Sequence, residues 1–212
     1  MTTSAEMRTV LRLVVATANP GKTREFGRLL GSRFSVEPLP SGVVLPEETG
    51  VTFAENARLK AYGAFDALGG AVAVLADDSG IEVAALGGLP GVRSARFAGE
   101  DASDEANVAL LLERLGACTD REARFVCALA LVLPGPPSSG GLREAQGLLP
   151  GSVTHHPRGL DGFGYDPVFV PNGWDITLAE AGPESKDQIS HRGRAVSTLL
   201  EALRQEGAFA DG

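Results

Sequence analysis

Short apolar runs alternate with amphipathic stretches through the first half of this chain, and that alternation limits the possible folds more than any other feature. Leu11-Arg12-Leu13-Val14-Val15-Ala16 is short and rich in branched apolar residues, so it reads as a buried strand. Thr23 to Leu30 reads as a helix closed by Gly31. Thr52 opens a second helix: Glu55, three residues on, completes a capping box, and Phe53, Ala57, Ala61, Ala64 and Leu68 form its apolar stripe before Gly69-Gly70. Ala71 to Ala76 predicts a second buried strand and Ile81 to Ala85 a third; between them stands Asp77-Asp78-Ser79-Gly80, whose composition suits a turn. Asp104 to Leu115 is helical, with Val108, Leu111, Leu112 and Leu115 on one face. The rhythm then changes. Arg124 to Leu133 is a long apolar strand and Leu142 to Leu149 its hairpin partner, across the loop Pro134 to Gly141. Pro167 to Val170 predicts a short strand, and Ser190 caps a closing helix from His191 to Gln205. Alternating elements that give way to a hairpin predict an α/β domain with a mixed sheet.

With 212 residues, 43% of them hydrophobic and 22% charged, the chain can build one sizeable core. No linker separates halves of independent character, so one domain is expected, its core running from about residue 11 to 205. A net charge of −8 argues against a nucleic-acid polymer as partner, because that binding relies on a basic face. A small anion carried with a divalent metal remains compatible. The apolar runs are too short to span a bilayer, and Met1 to Met7 lacks the basic and apolar regions of a signal peptide. Cys118 and Cys127 have neither metal-ligand spacing nor a secretory context; reduced thiols in a cytoplasmic protein are expected.

Against sixteen arginines the chain has three lysines, Lys22, Lys60 and Lys186, each inside a polar signature. A lysine presents a compact point charge where arginine brings a wide planar fork. Three such charges from distant segments suggest a crowded polyanion, such as the phosphates of a nucleotide. The first sits in Thr17-Ala18-Asn19-Pro20-Gly21-Lys22, between a strand and a helix, where backbone N–H groups and the helix dipole can converge on an anion. Gly21-Lys22-Thr23 copies the end of a Walker A loop, but that motif requires a glycine where Ala16 stands, which argues against a P-loop.

Asp77-Asp78 follows an apolar strand. Adjacent strand residues point to opposite faces, so one carboxylate of the pair serves a given site, as a Mg²⁺ ligand or as acceptor of a proton from water. Glu47-Glu48, ahead of the second helix, offers a further hard oxygen ligand. In Gly162-Phe163-Gly164-Tyr165-Asp166-Pro167, glycines on both sides of Phe163 permit close approach to a ligand while the ring can stack on a base. Ser190-His191-Arg192 places donors at a helix N-terminus.

Taken in order, these segments, together with Leu86-Gly87-Gly88-Leu89-Pro90-Gly91-Val92, Ser94-Ala95-Arg96-Phe97-Ala98-Gly99 and Pro157-Arg158-Gly159, resemble the inosine triphosphatase or Ham1-like family, pyrophosphatases of non-standard purine nucleoside triphosphates. The resemblance runs from about Leu13 to Leu203. It implies an elongated mixed central sheet with two lobes flanking a nucleotide cleft, a cytoplasmic homodimer, and Mg²⁺-dependent hydrolysis of inosine, deoxyinosine and xanthosine triphosphates to monophosphate and pyrophosphate. By motif match, Thr17, Ala18, Asn19, Pro20, Gly21 and Lys22 would hold the triphosphate, with Lys60 and Lys186 completing the cationic cradle. Asp78 would be the catalytic carboxylate and a metal ligand, with Glu47, ahead of Glu48, the second ligand. Ser79, Phe163, Gly164, Tyr165, Asp166, His191 and Arg192 would contact substrate. Two positions depart from the family pattern: Ala18, where Gly, Ser or His is usual, and His155-His156, where acidic residues are common. Rival readings are a hydrolase of pyrimidine triphosphates and a nucleotide sensor without turnover; the retained acidic pairs argue against the sensor.

Overall fold

The computed structural model describes residues 10–136, 140–182, 185 and 189–207. Its centre is a mixed six-stranded sheet in the order β2-β1-β3-β4-β5-β6. β1 (Leu11–Val15) pairs in parallel with β2 (Phe34–Pro38) on one side and β3 (Ala73–Val83) on the other. From β3 onward the ladder is antiparallel, through β4 (Glu122–Leu133), β5 (Gly141–Val153) and β6 (Phe169–Pro171). The expected mixed sheet is present, built from helix-linked parallel strands and a hairpin.

Among the described residues four helices cover it: α1 (Pro20–Leu30), α2 (Phe53–Ala67), α3 (Asp104–Leu115) and α4 (His191–Gln205). α1 and α4 bury Phe26, Leu30, Val196, Leu199 and Leu203 against Leu13, Val15, Leu75, Cys127, Leu129 and Leu131. On the opposite face α2 sets Phe53, Ala57, Ala61 and Ala64 against Val14, Ala16, Val74, Ala76, Val126, Ala128 and Ala130. The strand period of two sorts these residues to the two faces. A third cluster joins α3 to the far ends of β3, β4 and β5 and to Phe169 of β6. Among the described residues no helix is long and apolar enough to cross a membrane. Cys118 and Cys127 are free thiols.

The capping box at Thr52 forms as expected, and Ser190 caps α4 by accepting from the Gly193 N–H. Several expectations need correction. α1 begins at Pro20 rather than Thr23, because Asn19 caps it and Pro20 suits a first helical position. The two strands expected either side of Asp77-Asp78-Ser79-Gly80 are one strand. Each of those four residues pairs with β4, from Asp77 opposite Leu129 to Gly80 opposite Val126, so the ladder overrides the local turn preference. The short strand lies at Phe169–Pro171, two residues late, since Asp166–Val168 winds as a 3-10 turn. β2 was not anticipated.

Candidate active site

β1 stops pairing with β3 at Val15 opposite Leu75. From Asp77 to Ile81, β3 therefore has β4 on one side and an open edge on the other. The amides on that edge are satisfied by side chains: the Ser79 N–H donates to Asp78 Oδ1 (3.0 Å), and the Ile81 N–H to Ser94 Oγ (2.9 Å). Gly80 permits this closeness, since a Cβ there would lie 2.3 Å from Ser94 Oγ. The opening sits at the carboxyl end of β1, where α/β sheets place their ligand crevices.

Alternation sends Asp77 and Ser79 to the α1/α4 face. Lys22 Nζ donates to Asp77 Oδ2 at 2.9 Å, and Ser79 Oγ donates to the same oxygen at 3.0 Å. Arg192, on the first turn of α4, donates from Nη1 to Glu25 Oε2 (3.2 Å) and from Nη2 to Ser79 Oγ (2.9 Å); its Nε lies 3.7 Å from Asp77. Burial opposes the charge on Asp77, but Lys22 and Arg192 outweigh it and hold the carboxyl well below the usual range. α4 can approach this closely because Gly147 of β5 lies beneath it: a Cβ there would fall 2.1 Å from the His191 carbonyl oxygen.

Asp78 points the other way, toward α2. Asn56 Nδ2 donates to its Oδ2 at 2.9 Å, while Lys60 Nζ lies 3.8 Å from its Oδ1 and donates to Glu48 Oε1 at 2.5 Å. Arg96 reaches Glu48 as well, donating to its carbonyl oxygen at 3.2 Å and to Oε2 at 3.4 Å. Burial, assisted by the Glu48 charge, raises the Asp78 pKa despite Lys60 and Asn56. Lys60 itself stays charged: burial lowers its pKa, but Asp77, Asp78 and Glu48 together raise it. An ammonium thus bridges two carboxylates, marking a place where positive charge is stabilised. Among the described residues no group of three or more His, Cys, Asp or Glu side chains converges. Two hard oxygen donors nevertheless fit Mg²⁺, which commonly takes one or two carboxylates and completes its shell with water and phosphate.

A cleft on the α1/α4 face is lined by Asn19, Lys22, Ser79, Phe163, His191 and Arg192, among others. Arg192 lies over the Phe163 ring, 5.0 Å from its centroid, and the His191 imidazole stacks on Phe125 at 4.8 Å. Flat apolar and cationic walls of this kind suit a heterocyclic base. Tyr165 Oη donates to the Ser94 carbonyl oxygen (2.9 Å), and Asp166 Oδ2 accepts the Phe163 N–H (2.9 Å), fixing the aromatic turn.

The structure brings most of the expected site residues together. Lys22, Asn19, Ser79, Phe163, Gly164, Tyr165, Asp166, His191 and Arg192 line one cleft; Asp78 and Lys60 meet across the strand. Thr17, Ala18, Pro20 and Gly21 build the turn without lining that cleft. The backbone cradle expected there is engaged: Asn19 Oδ1 accepts from Gly21 N (2.8 Å) and Lys22 N (3.2 Å), and the side chain of Lys22 reaches past the turn to Asp77. Glu47 is exposed, and the structure places Glu48, not Glu47, beside Asp78 through Lys60. Lys186 lies outside the described residues. Sequence reasoning missed Glu25, Asn56 and Arg96. Asn56 was detectable: it shares the buried stripe of α2, four residues before Lys60, and a polar pair on an apolar face calls for a partner.

Residues 13–202 match the Ham1 family. A dITP/XTP pyrophosphatase of Deinococcus radiodurans is 49% identical over 201 residues, covering 94% of this chain and 96% of that protein. One from Mycobacterium tuberculosis is 50% identical over 206 residues, covering 93% and 98%. Among solved structures, a HAM1 protein from Coxiella burnetii superposes with a TM-score of 0.81 at 38% identity, covering 92% of this chain and 99% of that one. The Staphylococcus aureus Ham1 protein gives 0.80 at 41% identity, with the same coverage. An open-edged acidic strand flanked by lysines, an aromatic cleft and identities near one half over almost the whole length agree: this chain belongs to the Ham1 family.

Proposed function

We propose that this chain hydrolyses dITP, ITP and XTP to the nucleoside monophosphate and pyrophosphate. The observation that carries the reading is the two-faced β3 edge. It sets Lys22 and a base-sized aromatic cleft on one side, and a buried, proton-accepting Asp78 with Lys60 and Glu48 on the other. The relatives named dITP/XTP pyrophosphatase support the same assignment.

Phe163 and Arg192, stacked on each other, form one wall of the base site, and Lys22 offers its ammonium to the triphosphate at the strand edge. Asn56 immobilises Oδ2 of Asp78. The raised pKa of Asp78 favours taking a proton from water as that water attacks the α-phosphorus. A P–O bond forms, the bond to the bridging oxygen breaks, and pyrophosphate leaves with that oxygen. Glu48 and Asp78 would hold Mg²⁺, which when bound neutralises phosphate charge. The cleft is lined by the donor-bearing side chains of His191 and Arg192, which would favour a 6-oxo purine and leave the 6-amino group of adenine facing a donor.

The proposal includes a cytoplasmic homodimer. Val44 and Val51, 86% and 81% exposed, and Leu59 and Tyr62 on α2 are exposed apolar side chains that a second copy could cover, which light scattering would test. The decisive functional experiment is a Mg²⁺-supported panel of nucleoside triphosphates with pyrophosphate and orthophosphate measured separately. Monophosphate and pyrophosphate from ITP and XTP, with ATP slower by orders of magnitude, are expected. Orthophosphate as first product, or equal turnover of ATP, would overturn the reading.

A further inference from the structure

Asp104 is the first residue of α3, yet its carboxylate does no capping: Ser103 already accepts from the Ala106 N–H at 3.2 Å. Asp104 Oδ2 instead accepts the N–H of Gly164 at 2.6 Å, across sixty residues of sequence. Gly164 has φ of +62°, and it follows Phe163, the aromatic wall over which Arg192 lies. Asp104, Phe163 and Gly164 all line the cleft. The next residue, Tyr165, makes the buried bond to the Ser94 carbonyl oxygen, so the turn is tied to the α3 side of the molecule at two adjacent positions. One tie is buried and neutral. The other is exposed and charge-assisted, and short accordingly.

We propose that Asp104 is a positioning residue for the base pocket, a carboxylate clasp that holds the Phe163–Gly164 turn in place to receive the base. It touches neither the reacting phosphate nor Asp78, so its effect should fall on nucleotide binding rather than on the chemical step. This inference rests on the reading that the cleft receives a purine.

The test uses Asp104→Ala, Asp104→Asn and Glu105→Ala in the full chain. Glu105 supplies a second first-turn acidic charge on α3 without the clasp, so it controls for the helix dipole. For Asp104→Ala, KM for ITP should rise about tenfold, the scale of one charge-assisted hydrogen bond, with kcat within about twofold. The inhibition constant of pyrophosphate, which needs no base pocket, should stay unchanged. Asp104→Asn keeps an acceptor oxygen and should recover part of the loss, and Glu105→Ala should match wild type. Amide hydrogen exchange at Gly164 in the free protein should accelerate most in Asp104→Ala, less in Asp104→Asn and not in Glu105→Ala, a readout that does not depend on turnover. Unaltered Gly164 exchange, an unchanged KM, or a parallel rise in the pyrophosphate constant would each overturn the clasp. Failure of the wild-type protein to release pyrophosphate from ITP would overturn the functional reading instead, and the exchange measurement would still decide the clasp.

Discussion

Replacing Gly147 by alanine inserts a methyl group between β5 and the first turn of α4. The new Cβ would stand 2.1 Å from the His191 carbonyl oxygen, 2.4 Å from the Ala195 nitrogen and 3.0 Å from the Ala195 Cα. All three are backbone atoms, so no side chain can swing aside. Ordinary contact begins near 3.4 Å, and the start of α4 must therefore retreat by about 1 Å. His191 and Arg192 ride on that turn, and Arg192 holds Ser79 and sits beside Asp77 and Phe163. Displacing positioned groups by about 1 Å costs roughly 10²-fold in rate. Overpacking of this kind destabilises by about 1–3 kcal/mol, which in a chain of this size lowers Tm by about 2–12 °C. Hydrolysis of ITP at 25 °C, where the variant stays folded, and a thermal melt separate the two effects. Gly27→Ala on α1 is the control: nothing lies within 4 Å of its Cβ, and the change should be silent or gain up to about 1 kcal/mol. A Gly147→Ala protein with wild-type kcat/KM would show that the seating of α4 does not set the geometry of Arg192.

Asp78→Asn should lower hydrolysis by about 10²-fold or more, while Tm holds or rises, because burial and Glu48 disfavour the charge it removes; wild-type activity would remove Asp78 as proton acceptor. Lys22→Arg keeps charge but not shape, and should cut kcat/KM strongly with little change in melting; Lys60→Arg should cut it too and also lower Tm, since Lys60 is 7% exposed and wedged between Glu48 and Asp78. Silence of both variants would refute the need for a compact ammonium. Burial, then the Asp104 charge, raises the Tyr165 pKa above the ordinary 10.0, so the unfolded chain releases that proton before the folded one does. Stability should therefore fall as pH rises beyond about 10, and denaturant melts of Tyr165→Phe should show a shallower alkaline slope. An unchanged slope would count against ionisation of Tyr165 as its source.

Most of the fold was legible in the sequence where a residue does one job. Thr52 with Glu55 and Ser190 before an apolar period announced their helices, because a cap is a local contact. β2 was missed for the opposite reason: Phe34-Ser35-Val36-Glu37-Pro38 is a sheet-edge strand, half polar, defined by its pairing with β1. The run Asp77 to Gly80 misled because turn-forming residues were held extended by β4, and the ladder is invisible along one chain. The choice between Glu47 and Glu48 lay in an irregular segment without periodicity, where only Lys60 and Arg96, brought in by folding, distinguish neighbours. Glu25 was hidden because its partner Arg192 stands 167 residues away. The motif segments, by contrast, converged on one strand edge largely as expected.

Asp77 and Asp78 are separated by a single peptide unit, and β3 turns that step into a choice between two sides of the molecule. Chain length is therefore as constrained here as side-chain identity. Deleting one residue between Ala73 and Ala76, with the start of the strand anchored, would move Asp78 into the place of Asp77, against Lys22 and Arg192, and bring Ser79 round to Asn56 and Lys60. Every functional side chain would survive, and those of β3 would have the wrong neighbours. The connection between β4 and β5, residues 134–140, carries none of the site residues named above, and loop-closure entropy changes only slowly with loop length. Variation among chains of this architecture should accordingly enter β3 by substitution and the hairpin loop by insertion.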